Sequence, residues 1–321
     1  MDARQEARAR VGGGYDACVL EPSPPSTTGG AFADDPLDPG DRPTGDPLVV
    51  PLSRGTTGAQ TWQELASGDT ELAEWCAARW LAAWRPLPEP PATLATTRAA
   101  LHVIAERVLS PARHAATGKI GLRYTAGGFG TPFYETERGD TQVRVSGDAL
   151  VVQTNDEEQQ HALTTLRAAA ATVGVPPDAT TGVYEPTSNL GPDDALVVDE
   201  AAAVFVGSWF GFSASVLEQL RAEAAPDDDA SLVQLWPEHF DLAVEIGAAA
   251  TRGAFGCSPG DDVHPDPYLY VTHWNDVRPD SFWNDAGGSY ASLPLADLRP
   301  ADDHRDAALT FFRAGRERLR S

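Results

Sequence analysis

From Ala201 to Leu217 the chain carries no charged side chain, and this run constrains the fold more than any other segment. Phe205, Trp209, Phe212, Val216 and Leu220 recur at helical spacing across it, which predicts one long helix over about Glu200–Glu223 with Asp199 as its N-cap. The run is shorter than the ~20 apolar residues a bilayer crossing needs, and Gly207, Ser208, Gly211, Ser213 and Ser215 punctuate it. It reads as a buried helix that the rest of the chain must cover. With 321 residues the chain can do so, because folding at over ~300 residues removes roughly three quarters of the unfolded surface from water.

Around that helix the hydrophobic period changes several times. Residues 1–58 are rich in Pro, Gly and Asp and read as an irregular N-terminal arm, with a short strand candidate at Leu48–Leu52. Helices are predicted over Asp69–Trp84 and Leu94–Leu109, and Ser110-Pro111 reads as an N-cap and N1 proline that restart a short helix or turn. Ile120, Leu122 and Tyr124 alternate, as do Val143-Arg144-Val145, and Ser146-Gly147-Asp148 turns the chain into Leu150-Val151-Val152, giving a small antiparallel sheet. A helix is expected over Gln159–Val173, ending at Gly174, followed by a connector over 175–199. Beyond the long helix, Asp227-Asp228-Asp229 reads as a solvated loop. Strands follow at Phe240–Ile246, Thr251–Cys257 and Tyr268–Trp274, then a last helix from about Asp302 to Leu319. Grouped helices and antiparallel strands indicate an α+β fold, with helices packed on small antiparallel sheets. The organisation reads as an arm (1–58), a helical segment with a small sheet (59–175), and a long helix, antiparallel sheet and C-terminal helix (176–321), with one core shared by the halves as the open alternative to two.

Charge and cysteine usage narrow the partners. The net charge is −23, which repels phosphate backbones and anionic membrane faces, so neither nucleic acid nor a membrane is an expected partner. Three widely spaced cysteines with no CxxC fit a reducing cytoplasm, and the charged N-terminus lacks the apolar run of a signal peptide. A single lysine among 24 basic residues fits a GC-rich genome or a salty cytosol alike.

The densest chemistry lies late in the chain. Trp236-Pro237-Glu238-His239-Phe240-Asp241 is followed by Ser258-Pro259-Gly260-Asp261 and by Asp266-Pro267-Tyr268-Leu269-Tyr270-Val271, with Trp274 and Trp283 beyond. In this order, residues 231–290 resemble a family of uncharacterised bacterial proteins of high-GC, actinobacterial-like type with a WPxHFD … SPGD … PYxYV motif. The helix around Trp209 and the segment Thr97–Phe133 resemble it more loosely. Members with a second histidine before the HFD contrast with Glu238 here, and the resemblance implies a motif rather than an activity.

Alternation then suggests a site. With Phe240, Leu242 and Val244 facing the core, His239, Asp241 and Glu245 fall together on the opposite face, the imidazole and carboxylate about 6–7 Å apart by Cα. A carboxylate beside His239 favours the imidazolium and suits acid–base work. Catalytic roles are therefore expected for His239 and Asp241, and ligand contacts for Trp236, Asp261 and His273. The oxygen-rich loop around Asp261, Asp262, His264 and Asp266 suits a hard divalent metal, whereas His239 with His273 and a carboxylate suits Zn²⁺ or Fe²⁺. The bland alternatives are a histidine whose tautomer an aspartate fixes and, at SPGD, a plain β-turn. Gly127-Gly128-Phe129-Gly130 lacks the Lys-Ser/Thr of a phosphate loop and reads as a bent strand. No GxSxG, HExxH or paired CxxC is present. Two functions stay open: a small-molecule-binding protein or enzyme with a His/Asp site on the C-terminal sheet, or a non-catalytic interaction or scaffold protein whose WPEHFD and SPGD segments are structural.

Overall fold

The computed structural model describes residues 87–125, 127–155, 157–285 and 290–321. The expected arm, the strand at Leu48–Leu52 and the helix over Asp69–Trp84 lie outside the described residues. Within them the fold is α+β: helices and two antiparallel sheets.

Helix α1 spans Leu94–Ile104 and runs without a break through a π-helical turn, Ala105–Leu109, into α2, Ser110–Thr117. Ser110 is thus a helical residue and not an N-cap. Pro111 has no N–H to donate back along the helix, and the wider turn just before it accommodates that missing bond. The first sheet holds β1 (Arg123–Thr125), β2 (Gly128–Gly130), β3 (Tyr134–Thr136), β4 (Gly139–Ser146), β5 (Ala149–Thr154) and β6 (Glu157–Ala162), in the order β1-β2-β4-β5-β6 with β3 also on β4. The β4–β5 hairpin closes on Ser146 opposite Ala149, with Gly147 at φ +57° as such tight turns require.

Strand β6 corrects the expected helix over Gln159–Val173. Glu157–Ala162 pair along their whole length with β5, and their mostly exposed polar side chains suit an edge strand. The helix α3 begins only at Leu166–Val173. Thr165 caps it by accepting from Ala168 N (3.1 Å), and Gly174 ends it at φ +84°.

The long helix is α4, Glu200–Ala222, capped by Asp199, whose carboxylate accepts from Ala202 N at 3.0 Å. The same carboxylate accepts from Thr93 Oγ1 (2.9 Å), so the starts of α1 and α4 are tied together. By length and composition α4 could cross a membrane, but most of it is buried inside this fold. It packs on β1, β2 and β4 on one side and on β8 and β9 of the second sheet on another.

That second sheet orders β11-β10-β9-β8-β7, from β7 (Gln234–Trp236), β8 (Asp241–Ile246), β9 (Gly253–Ser258), β10 (Tyr268–His273) and β11 (Tyr290–Pro294). Strands β7 and β11 carry too little alternation to be expected from sequence. A reciprocal backbone pair, Leu122 with Leu235 at 2.8 Å each way, joins the edges of the two sheets beside α4. Helices α5 (Leu295–Leu298) and α6 (His304–Leu319) follow, and Asp303 caps α6 through Arg305 N and Asp306 N. One hydrophobic cluster takes in Ile104, Phe129 and Val145 together with Val244, Phe255 and Phe312, so the core runs across position 176.

Asp228 departs from the expected solvated loop. It is buried, accepts from Arg316 (2.6 Å), Arg320 (2.7 Å) and Ala225 N (2.8 Å), and thereby binds the turn after α4 to the end of α6.

Two predictions follow from this packing. A Cβ on Gly207 would lie 2.5 Å from the Gly127 carbonyl oxygen, which is backbone and cannot swing aside. Gly207→Ala is expected to cost about 1–3 kcal/mol, read as a lower urea midpoint. Burial opposes the charge on Asp228, but the bonds from Arg320, Ala225 N and Arg316 outweigh it and hold the pKa at about 2. The unfolded chain takes up this proton near ~4, so the contribution is complete above that pH and is lost as pH falls toward 2. Asp228→Asn removes that component from an acid-unfolding titration.

Candidate functional site

The WPEHFD segment forms a tight connection. Trp236 at the end of β7 pairs with Asp241 at the start of β8, and Pro237–Phe240 form a four-residue turn in which His239 N (3.2 Å) and Phe240 N (2.8 Å) both donate to the Trp236 carbonyl. Phe240 closes it at φ +52°, a left-handed conformation that costs a residue other than glycine about 1–3 kcal/mol. Its ring is buried against Phe129 (5.0 Å) and Phe210 (5.3 Å), both edge-on, and stacks on His102 (5.2 Å). That packing offsets the strain.

The expected alternation holds from Asp241 onward. Asp241 and Ala243 point to one face, while Leu242, Val244 and Ile246 enter the core. His239 is half-buried in the turn, ahead of the strand, so pleating does not place it on the Asp241 face. Asp241 is only 5% exposed. Its Oδ2 accepts a short hydrogen bond from Tyr270 OH, and its Oδ1 has no hydrogen-bond partner among the described residues. Tyr270 gets there by lying over Gly256 of the intervening strand, where a Cβ would collide with its ring. Trp236, Tyr184, Ile120 and Ala243 form a small apolar cluster on this face.

Helix α1 supplies the next groups. Arg98, His102 and Glu106 recur every fourth residue and form one polar stripe. His102 Nε2 lies 2.8 Å from the Pro237 carbonyl, which can only accept, so this nitrogen carries hydrogen. It also lies 3.4 Å from Glu106 Oε1. Burial depresses the His102 pKa, with Arg98 adding to the effect and Glu106, the Pro237 carbonyl and Asp241 opposing it. Glu106, on the π-helical turn, is completely buried. Its Oε1 accepts from Thr187 N (2.8 Å) and Thr187 Oγ1 (2.9 Å), and its Oε2 has no hydrogen-bond partner among the described residues. Tyr184 OH donates to the Glu106 carbonyl (2.7 Å), and burial, with Glu238 and Glu106 nearby, pushes that phenol far above its usual range. Glu238, also buried, acts on the same Tyr184 phenol as Glu106.

The SPGD segment is an anchored turn. Asp261 Oδ1 accepts from Val263 N and His264 N, both at 2.7 Å, and Oδ2 accepts from Tyr268 OH at 2.7 Å. Burial disfavours the charged Asp261, yet these bonds more than compensate and hold its pKa below the usual carboxylate range. Gly260 sits at φ +103°, and Arg98 donates to the Pro265 (2.8 Å) and Asp261 (3.2 Å) carbonyls, clamping the loop to α1. Beside it His264 Nε2 lies 2.9 Å from Asp285 Oδ2, which also accepts from Ser292 Oγ (2.9 Å).

His273 lies elsewhere. It is opposite Gly253 at the far end of β10, five residues beyond Tyr268 and so about 17 Å along the strand at ~3.4 Å per residue. It shares the core-facing side with Leu269 and Val271; its Nδ1 meets the Asn275 carbonyl (2.8 Å) and its ring the edge of Trp283. The combination of His239, His273 and a carboxylate is therefore not assembled. Among the described residues no group of three or more His, Cys, Asp or Glu is placed to hold a metal ion. The structure brings together Asp241 and Trp236, with Asp261 across the Arg98 clamp. It adds His102, Glu106, Tyr184 and Tyr270, which sequence reading missed. The four-residue spacing of 98, 102 and 106 and the glycine inside β9 were the available signals. No family model, curated protein or solved structure matches the chain.

Tyr270→Phe removes the hydrogen bond from Tyr270 OH to the Asp241 carboxylate, depriving that buried oxygen of this donor. The expected loss is about 1–3 kcal/mol by urea denaturation at pH 7. An unchanged midpoint would show that Asp241 is not sealed in this way.

Proposed function

We propose that this protein binds a small organic molecule at the second face of its C-terminal sheet, with Asp241 as the central contact and His102 and Glu106 beside it. The observation that carries the reading is the pair of buried carboxylate oxygens, Asp241 Oδ1 and Glu106 Oε2, that no donor among the described residues reaches. Buried acceptors are almost always paired, and each exception needs an explanation such as a ligand. A titratable imidazole, two tyrosines and an aromatic wall around them give the mixture of apolar lining and few polar groups that ligand sites have. His239 and Trp236 contribute through the turn that fixes Asp241. The net charge supports a partner that is neither nucleic acid nor an anionic membrane, and the buried core helix supports a soluble protein.

A second reading, an interaction or scaffold protein whose motifs are structural, draws on the SPGD loop, where Arg98 and Gly260 act to hold a turn.

The two readings part in a thermal-shift screen of a small-molecule library on the full chain and on Asp241→Asn. A binding site predicts compounds that raise the wild-type Tm and lose most of that shift in the variant. Shifts of equal size in both proteins, or none in either, would leave the motifs as folding determinants only.

A further inference from the structure

We infer that His264 and Asp285 form a second chemical centre, an oriented base that hydrolyses an uncharged ester on an apolar or aromatic body. The inference goes beyond the binding reading and uses neither Asp241 nor Glu106, so the failure of one leaves the other standing. His264 Nε2 lies 2.9 Å from Asp285 Oδ2, and a carboxylate only accepts, so this nitrogen carries hydrogen. In the neutral imidazole the lone pair then sits on Nδ1. That nitrogen is 3.9 Å from Asp261 Oδ1, an acceptor already taken by Val263 N and His264 N, and no donor among the described residues meets it. The side chain is 25% exposed, which keeps the ring within reach of solvent. One ring nitrogen held by a carboxylate, with the lone pair left on the other, is the arrangement in which a histidine accepts a proton.

Both partners are fixed by the backbone around them. Asp261 N donates to the His264 carbonyl (2.7 Å) and His264 N to the Asp261 carboxylate (2.7 Å), which closes the SPGD turn on itself. On the other side, Asp285 N donates to the Tyr290 carbonyl (3.1 Å) and Asp285 Oδ2 accepts from Ser292 Oγ (2.9 Å). The neighbouring Asn284 side chain accepts from Ser292 N (2.8 Å) and donates to the Ser292 carbonyl (3.0 Å). Ser292 stands opposite Tyr270, so the dyad lies at the β11 side of the second face. Tyr268, tilted at 4.8 Å, and Tyr290, edge-on at 6.4 Å, flank the imidazole and suit an apolar or aromatic substrate. Asp261 and Asp285 each lie within 4 Å of a ring nitrogen and disfavour an anionic substrate. In the step, Nδ1 takes a proton from water while the water oxygen bonds to the ester carbonyl carbon. The C–O bond to the alcohol then breaks, its electron pair stays on the leaving oxygen, and that oxygen recovers the proton from Nδ1. Ester and water thus become acid and alcohol. Asp285 is a positioning residue that stabilises the transient imidazolium without taking the proton.

The test is ester hydrolysis by the full chain at pH 8, with 4-nitrophenyl acetate as the uncharged ester and 4-acetoxybenzoate as the anionic one. Each rate is referenced to that of free imidazole at equal concentration with the same ester. Multiple turnovers of 4-nitrophenyl acetate, faster than with free imidazole, are expected. They should fall at least about tenfold in His264→Gln and stay unchanged in His114→Gln. Asp285→Asn should lose the same rate, because an amide that donates to Nε2 moves the ring hydrogen to Nδ1. Long-range ¹H–¹⁵N spectra of His264 should therefore show Nε2–H in the wild type and Nδ1–H in that variant, a change that loss of packing alone would not produce. Turnover that His264→Gln leaves unchanged, turnover no faster than free imidazole, a single-turnover burst, or Nδ1–H in the wild type overturns the proposal. Equal acceleration of the anionic ester overturns the uncharged-substrate assignment. Should His264→Gln fail to fold, carbethoxylation of the wild type by diethyl pyrocarbonate, mapped by mass spectrometry, decides. Activity should then fall in step with modification of His264, and activity that survives it counts against the proposal.

Discussion

An apolar helix with no polar side has to be covered from every direction, and α4 imposes that condition on the whole molecule. Trp209, Phe210 and Phe212 are all sealed, so no single layer can satisfy the helix. One sheet covers it from the N-terminal half and the other from the C-terminal half, with α1 and α6 closing the remainder. Gly207 sets how near the first sheet can come, because its missing side chain lets α4 settle against Gly127 and Gly128. The Leu122–Leu235 pair then joins two strand edges that would otherwise leave unpaired backbone groups beside the core.

Enclosing α4 uses up one face of the second sheet, and on the other face Ala243 and Trp236 pack with Ile120 and with Tyr184 of the connector, while α1 lies against α4. Helix α1 is apolar toward the core through Leu101, Ile104 and Val108, and carries Arg98, His102 and Glu106 on another stripe that is also largely buried. A buried polar stripe is costly unless every group has a partner. Arg98 finds carbonyls of the SPGD loop, and Glu106 finds Thr187 in the connector before α4. The polar stripe thereby fastens two irregular segments to a regular one. The oxygens left over after this fastening are the ones that define the candidate site.

Sequence patterns conveyed the regular parts of this design. The limits and cap of α4, the hairpin at Gly147, the stop at Gly174 and the core-facing residues of β8 all follow from local chemistry that the tertiary structure does not override. The failures arise where long-range pairing decides. Glu157–Ala162 resemble a polar helix face until β5 supplies hydrogen bonds, and β7 is too short to show any period. The site was partly legible. Asp241 and Trp236 could be read from the motif, but its partner Tyr270 is set by cross-strand register, and His102 with Glu106 by the docking of a helix more than 130 residues away in sequence. His239 was misplaced for a specific reason: the alternation was extended one residue into a turn whose last member takes a left-handed backbone.

The same turn shows why structural and functional readings of the motif are not strict alternatives. Phe240 reaches the core only because its backbone turns left-handed, and glycine there would relieve the strain while removing the ring that Phe129, Phe210 and His102 pack against. The His102 imidazole rests on that ring and directs Nε2–H at Pro237, three residues earlier in the same turn. Asp241 is the next residue after the ring. One strained turn therefore fixes a histidine from α1, a carboxylate on β8 and the aromatic surface between them. The turn that brings Phe240 into the core is thus the same one that sets where the Asp241 carboxylate meets Tyr270.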